Sequence, residues 1–155
     1  MLPETTETIT ILMADDDEDD RMLALDAVRE SRLRNVLHCV EDGQELMDYL
    51  NHSGRYTAGN APRPGLILLD LNMPKKDGRQ ALREIKSDPD LRRIPVVILT
   101  TSKTEEDILR AYDLGANSFI TKPVTFDRLV EIVRTLGQYW FNIVALPGSD
   151  ASEPG

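Results

Sequence analysis

Short apolar runs alternate along this chain with longer segments in which apolar residues recur every three or four positions. Thr8–Ala14, Val36–Val40, Leu66–Leu69, Pro95–Thr100 and Asn117–Thr121 read as strands. About Asp20–Ser31, Gln44–Asn51, Gly78–Ser87, Glu105–Leu114 and a last stretch from Phe126 past Trp140 read as helices. Leu66-Ile67-Leu68-Leu69 and Val96-Val97-Ile98-Leu99 are apolar throughout instead of alternating, as expected of strands covered on both faces of a parallel sheet. The alternation predicts an α/β fold: a doubly wound, five-stranded parallel sheet with right-handed crossovers and an extended C-terminal helix.

The breakers agree with these boundaries. Gly115 stands where a C-capping glycine would close the fourth helix. Pro89 and Pro95 bracket the approach to the fourth strand, and Asn51–Pro64 is a long, Gly- and Pro-containing connection. Residues 1–7 and 147–155 have the polar composition of loose ends, which leaves 8–146 as one domain without internal repeats. A length of 155 residues suits one such domain, burying about 70% of its unfolded surface.

Composition narrows the function by exclusion. Twenty-seven acids against eighteen Lys and Arg give a net charge of −9 with no long basic run, so nucleic acid and anionic membranes are poor partners. The single Cys39 excludes an internal disulfide and is read as a small core residue. No signal peptide opens the chain and no apolar stretch approaches the ~20 residues of a membrane span, so a cytoplasmic location is expected. His38 and His52 lack metal-ligand spacing and are read as structural.

The chemistry is expected where an open parallel sheet binds ligands, beyond the carboxyl ends of its strands. Asp15 and Asp16 follow the first strand, Asp70 the third, Thr100 and Thr101 end the fourth, and Lys122-Pro123 follows the fifth. Any one of them could be a cap, a turn residue or a surface charge; together they form a set. Clustered carboxylates demand a proton or a cation, and an all-oxygen donor set suits Mg²⁺. Asp70 could then attack a phosphorus centre, with Lys122 and the Thr100 hydroxyl meeting phosphoryl oxygens. Asp17, Glu18, Asp19 and Asp20 are read as a solvated face whose charge suits the positive end of a helix dipole.

In these motifs the chain resembles the receiver domains of two-component response regulators, from about Thr8 to Leu146. The resemblance rests on Asp15-Asp16, Leu66 through Pro74, Asp77-Gly78, Val97-Ile98-Leu99-Thr100-Thr101 and Phe119-Ile120-Thr121-Lys122-Pro123. It implies a flavodoxin-like (CheY-like receiver) fold and a phosphoacceptor at Asp70. Mg²⁺ would be held by Asp16, Asp70 and the Asn72 carbonyl, with Asp15 acting mainly through a metal-bound water. Thr100 would be the switch hydroxyl, Lys122 its ionic partner and Phe119 the switch aromatic. The Lys122–Pro123 bond would be cis, and Asn72 and Ser102 would tune dephosphorylation.

Further residues, among them Ser53-Gly54-Arg55-Tyr56, Lys75-Lys76-Asp77-Gly78 and Trp140-Phe141-Asn142-Ile143-Val144, resemble the single-domain regulators that partner phytochrome-type sensor histidine kinases. The resemblance implies a signalling protein that catalyses only its own phosphorylation and slow dephosphorylation. Nothing the size of an output domain follows the last helix, so the message is expected to leave through an unidentified downstream protein.

In the last helix, Phe126, Leu129, Val130, Val133, Leu136 and Trp140 read as a buried stripe, while Ile132, Tyr139 and Ile143 lie off it as a candidate partner face. Related regulators dimerise through this part of the fold, which implies a symmetric homodimer. Two other functions fit the residues less well. A Mg²⁺-dependent phosphatase with an aspartyl intermediate would need an acid two residues after Asp70, where Asn72 stands. A scaffold that no longer takes phosphate has no use for the complete set.

Overall fold

The computed structural model describes residues 9–30, 35–101, 105–122 and 125–139. Strands β1 (Ile9–Ala14), β2 (Asn35–Val40), β3 (Leu66–Leu69), β4 (Val96–Thr100) and β5 (Ser118–Thr121) alternate with five helices. These are α1 (Glu18–Glu30), α2 (Gly43–Asn51), α3 (Gly78–Ser87), α4 (Glu105–Asp113) and α5 (Phe126–Tyr139). All strand pairs are parallel, in the order β2-β1-β3-β4-β5. The chain thus winds outward from β1 to β2 and then reverses through β3, which opens a crevice between the ends of β1 and β3.

The continuous apolar runs serve two cores because successive side chains leave a strand on opposite faces. Leu12, Ala14, Ile67, Leu69, Val96 and Ile98 pack on one side with Leu46 and Met47 of α2 and Ala81, Leu82 and Ile85 of α3. Ile11, Met13, Leu66, Leu68, Val97 and Leu99 pack on the other with Ala24, Ala27 and Val28 of α1 and Leu129, Val130 and Val133 of α5. Neither face of the central strands is free for water.

Local chemistry sets the helix ends. The Asp42 carboxylate accepts from the Glu45 amide at 2.8 Å to start α2, and Asp77 accepts from Arg79 at 2.7 Å to start α3. The helix α1 begins at Glu18, earlier than the expected Asp20, because the Asp17 carboxylate accepts the Asp20 amide at 3.0 Å. Gly115 closes α4 at φ 107°, its amide bonding the Tyr112 carbonyl while that of Ala116 bonds Ala111. A short 3-10 turn at Leu91–Arg93, which periodicity gives no sign of, is started by Asp88.

Three expectations about burial are corrected. Cys39 is exposed, because β2 is an edge strand and its outer face is not fully covered. Phe126 is 37% exposed, since it opens α5 ahead of the turns that reach the sheet. Ile132 is buried, so it is not an exposed partner-facing residue. Leu136, Trp140, Ile143 and the Tyr139 side chain lie outside the described residues, as do Ser102 and Pro123.

Tyr49 ties the long connection after α2 to the core. It is 2% exposed, and its hydroxyl donates to the Pro62 carbonyl at 2.8 Å. Burial first, and then neighbouring Tyr56, push its phenol up to about 12 from an ordinary 10. The folded state therefore holds the neutral phenol longer than the unfolded chain does. Its contribution to stability is complete below pH 10 and is lost as pH rises toward 12. Urea unfolding at pH 8 and 11 is expected to show a larger alkaline loss for the wild type than for Tyr49→Phe.

Candidate phosphoacceptor site

Four of the five strands, β1, β3, β4 and β5, deliver residues to the same crevice. The Asp15 amide donates to the Val40 carbonyl at 3.1 Å and that of Asp70 to Ala14 at 3.0 Å, which fixes both acids to neighbouring strand ends. On the far side, the Lys122 amide donates to the Thr100 carbonyl at 2.8 Å. The result brings together the expected set: Asp15, Asp70 and Thr100 are buried, with Asp16 exposed at the rim.

Carboxylate oxygens of Asp15, Asp16 and Asp70 lie within 4.8 Å of one another. Such a donor set contains no nitrogen or sulfur and fits a hard divalent cation. Against this cluster stands the ammonium of Lys122. Lys122 Nζ is 2.6 Å from Asp15, 2.7 Å from Asp20 and 3.3 Å from Asp70, so its three N–H groups meet three carboxylates. Burial works most strongly against its charge, yet bonds to Asp15 and Asp20 and the charges of Asp15 and Asp70 reverse that and hold Lys122 well above the ordinary lysine range. Desolvation likewise pushes the Asp15 carboxyl up, opposed by its bonds to Lys122 and to the Asp17 amide.

Asn72 is more than a carbonyl. Its backbone amide donates to Asp70 Oδ1 at 3.1 Å, and its side-chain amide donates to Thr100 Oγ1 at 3.2 Å. It therefore bridges the acid of β3 to the hydroxyl of β4. Phe119 on β5 is partly buried against the same core that holds Ile98 and Ala111.

Two features escaped the sequence reading. Asp20 is not part of a solvated face but an ion-pair partner of Lys122. Its position one helical turn after Asp16 was the available signal, obscured by four neighbouring acids. The second is the amide side chain of Asn72, whose reach to Thr100 depends on the β3–β4 register.

Gly78 shapes the floor of the site. A Cβ there would lie 2.3 Å from the Asp70 carbonyl oxygen and 2.7 Å from the Leu71 Cα, both backbone atoms that cannot step aside cheaply. Gly78→Ala is expected to cost about 1–3 kcal/mol in urea unfolding, as overpacked sites do. It should also slow any reaction at Asp70, because the displaced atom belongs to that residue.

No helix among the described residues is long and apolar enough to cross a membrane. The response regulator receiver domain model matches residues 11–134. Response regulator Rcp1 of Synechocystis sp. is 41% identical over 149 residues, covering 96% of this chain and 100% of that protein. The crystal structure of the phosphorylated cyanobacterial phytochrome response regulator RcpA is 46% identical, with a TM-score of 0.77 over 87% of this chain and 95% of that one. The Mn²⁺-bound form of Rcp1 is 42% identical, with a TM-score of 0.76 over 88% and 96%. A five-stranded parallel sheet, an acidic crevice opposed by Lys122, and these matches over most of its length make the chain a response regulator receiver domain, similar to phytochrome response regulators.

Proposed function

We propose that Asp70 accepts a phosphoryl group from a phytochrome-type sensor histidine kinase and that the change is passed on by protein–protein contact. One observation carries this reading: the buried Asp70 carboxylate shares one crevice with Asp15, Asp16 and Lys122, 3.3 Å from the lysine ammonium. A carboxylate oxygen of Asp70 would attack phosphorus as the P–N bond of a phosphohistidine breaks, and the departing imidazole would take a proton from water. Lys122 would shift onto a phosphoryl oxygen, with which it makes a charge-assisted hydrogen bond.

The cation in this reading is Mg²⁺, held by Asp15, Asp16, Asp70 and the Asn72 carbonyl. When bound it would neutralise phosphoryl charge during transfer. Thr100 is the switch hydroxyl. Drawn toward the phosphoryl group, it would exchange its bond from Asn72 for one to a phosphoryl oxygen and open space for Phe119 to turn inward. The surface formed by α4, β5 and α5 would change with them, and an unidentified downstream protein would read it. A phosphatase reading finds less support, because the side chain at position 72 is an amide occupied with Thr100.

The receiver in this reading spans residues 8–146, acts in the cytoplasm and pairs as a homodimer. The dimer rests on the resemblance to related regulators and is drawn without Ile132. Light scattering at high micromolar concentration should then give twice the monomer mass; the monomer mass would contradict it. The phosphoryl reading is tested by intact-mass measurement after incubation with acetyl phosphate. One phosphoryl group should be added with Mg²⁺ and none with a chelator, whereas labelling that ignores the chelator would contradict it.

A further inference from the structure

Lys122 is held by one carboxylate more than the proposed chemistry needs. Asp20, in the first turn of α1, takes one of its three N–H groups at 2.7 Å, a shorter contact than the 3.3 Å to Asp70. Lys122 and Asp20 line a small cleft together with Met13, Leu23, Leu99 and Leu129. Only 10% of the Lys122 side chain is exposed against 35% of Asp20, which leaves the latter as the accessible and replaceable partner. Asp15 donates its amide to the Val40 carbonyl of β2 and accepts from the Asp17 amide, and Asp70 is the acceptor. Asp20 has no such duty.

We propose that Asp20 is a positioning residue that restrains Lys122 in the unphosphorylated protein and thereby sets the rate at which Asp70 takes up a phosphoryl group. The inference rests on Asp70 being the phosphoacceptor. To meet the incoming group, the ammonium must turn from the two carboxylates it touches most closely. An anionic donor must also approach a crevice in which Asp20 adds one more negative charge. Loss of that carboxylate frees the lysine and lowers the repulsion together.

The test compares wild type, Asp20→Asn and Asp20→Glu, each incubated with acetyl phosphate and Mg²⁺ and followed by intact mass. In the reaction a phosphorus–oxygen bond to Asp70 forms as that to acetate breaks, and acetate leaves as the anion. Asp20→Asn is expected to be labelled about fivefold faster at low salt, the scale of a partly exposed ion pair. The gain should shrink as ionic strength rises, and Asp20→Glu should return to the wild-type rate. A residue that merely supports α1 would give neither the salt dependence nor the rescue by Glu. Equal or slower labelling of Asp20→Asn beside a labelled wild type would overturn this inference alone. A wild type that takes no label would overturn the phosphoacceptor reading, and this inference with it.

Discussion

Replacing Lys122 with methionine is expected to destabilise the metal-free protein by roughly 3 kcal/mol, within the range for breaking a buried ion pair. Mg²⁺ is expected to restore much of the loss. The lysine is the cation that meets Asp15, Asp20 and Asp70, with side-chain exposures of 1%, 35% and 8%. Methionine keeps an unbranched apolar stem of similar length in the cleft that Lys122 lines with Met13, Leu23, Leu99 and Leu129, so the change is chiefly the loss of the charge. The buried carboxylates then repel one another without compensation, and folding must either tolerate that or protonate one of them. A divalent cation at the same cluster supplies the missing charge, and binding to the folded state alone stabilises it by mass action. Urea unfolding with and without MgCl₂ checks both parts. An equal loss in the two conditions would mean that lysine and cation do not answer the same charge.

Asp70→Asn is expected to abolish phosphoryl uptake from acetyl phosphate while leaving the fold intact. The amide that replaces the carboxylate is no nucleophile at phosphorus, so the reaction loses its attacking oxygen outright. The local frame should hold, since the amide oxygen can still accept from the Asn72 backbone and the Asp70 amide still donates to Ala14. Of the acids that remain around the crevice, Asp15 and Asp20 are both held by Lys122. Asp15 is fully buried and bonded to Lys122 and the Asp17 amide, and Asp16 lies exposed at the rim. Intact mass and far-UV circular dichroism check the two halves: an unlabelled protein with an unchanged spectrum is the expected pair.

The sheet was legible because its strands are short and the runs Leu66–Leu69 and Val96-Val97-Ile98-Leu99 at its centre are apolar throughout. The β3 strand falls at Leu66–Leu69 as read, and the others shift by a residue at their starts. The site followed from the sheet, since parallel topology sends every strand's last residue to one edge. What stayed hidden depended on three-dimensional neighbours. An acid in a helix's first turn looks the same whether it faces water or, like Asp20, a lysine that follows β5 and is 102 residues away. Cys39 carries the apolar surroundings of a buried strand, yet β2 lies at the sheet's edge, which local pattern cannot tell. Ile132 fell outside the helical stripe and is buried all the same, because the stripe on α5 is wider than an i, i+3, i+4 reading allows.

The central claim is that the phosphoryl group sits on Asp70. The direct measurement is reductive trapping: phosphorylate with acetyl phosphate and Mg²⁺, reduce the acyl phosphate with borohydride, and sequence the resulting peptides by mass spectrometry. The account requires homoserine at position 70 and nowhere else. Homoserine at position 15 or 16, or a phosphoryl mass that leaves position 70 as aspartate, would contradict it.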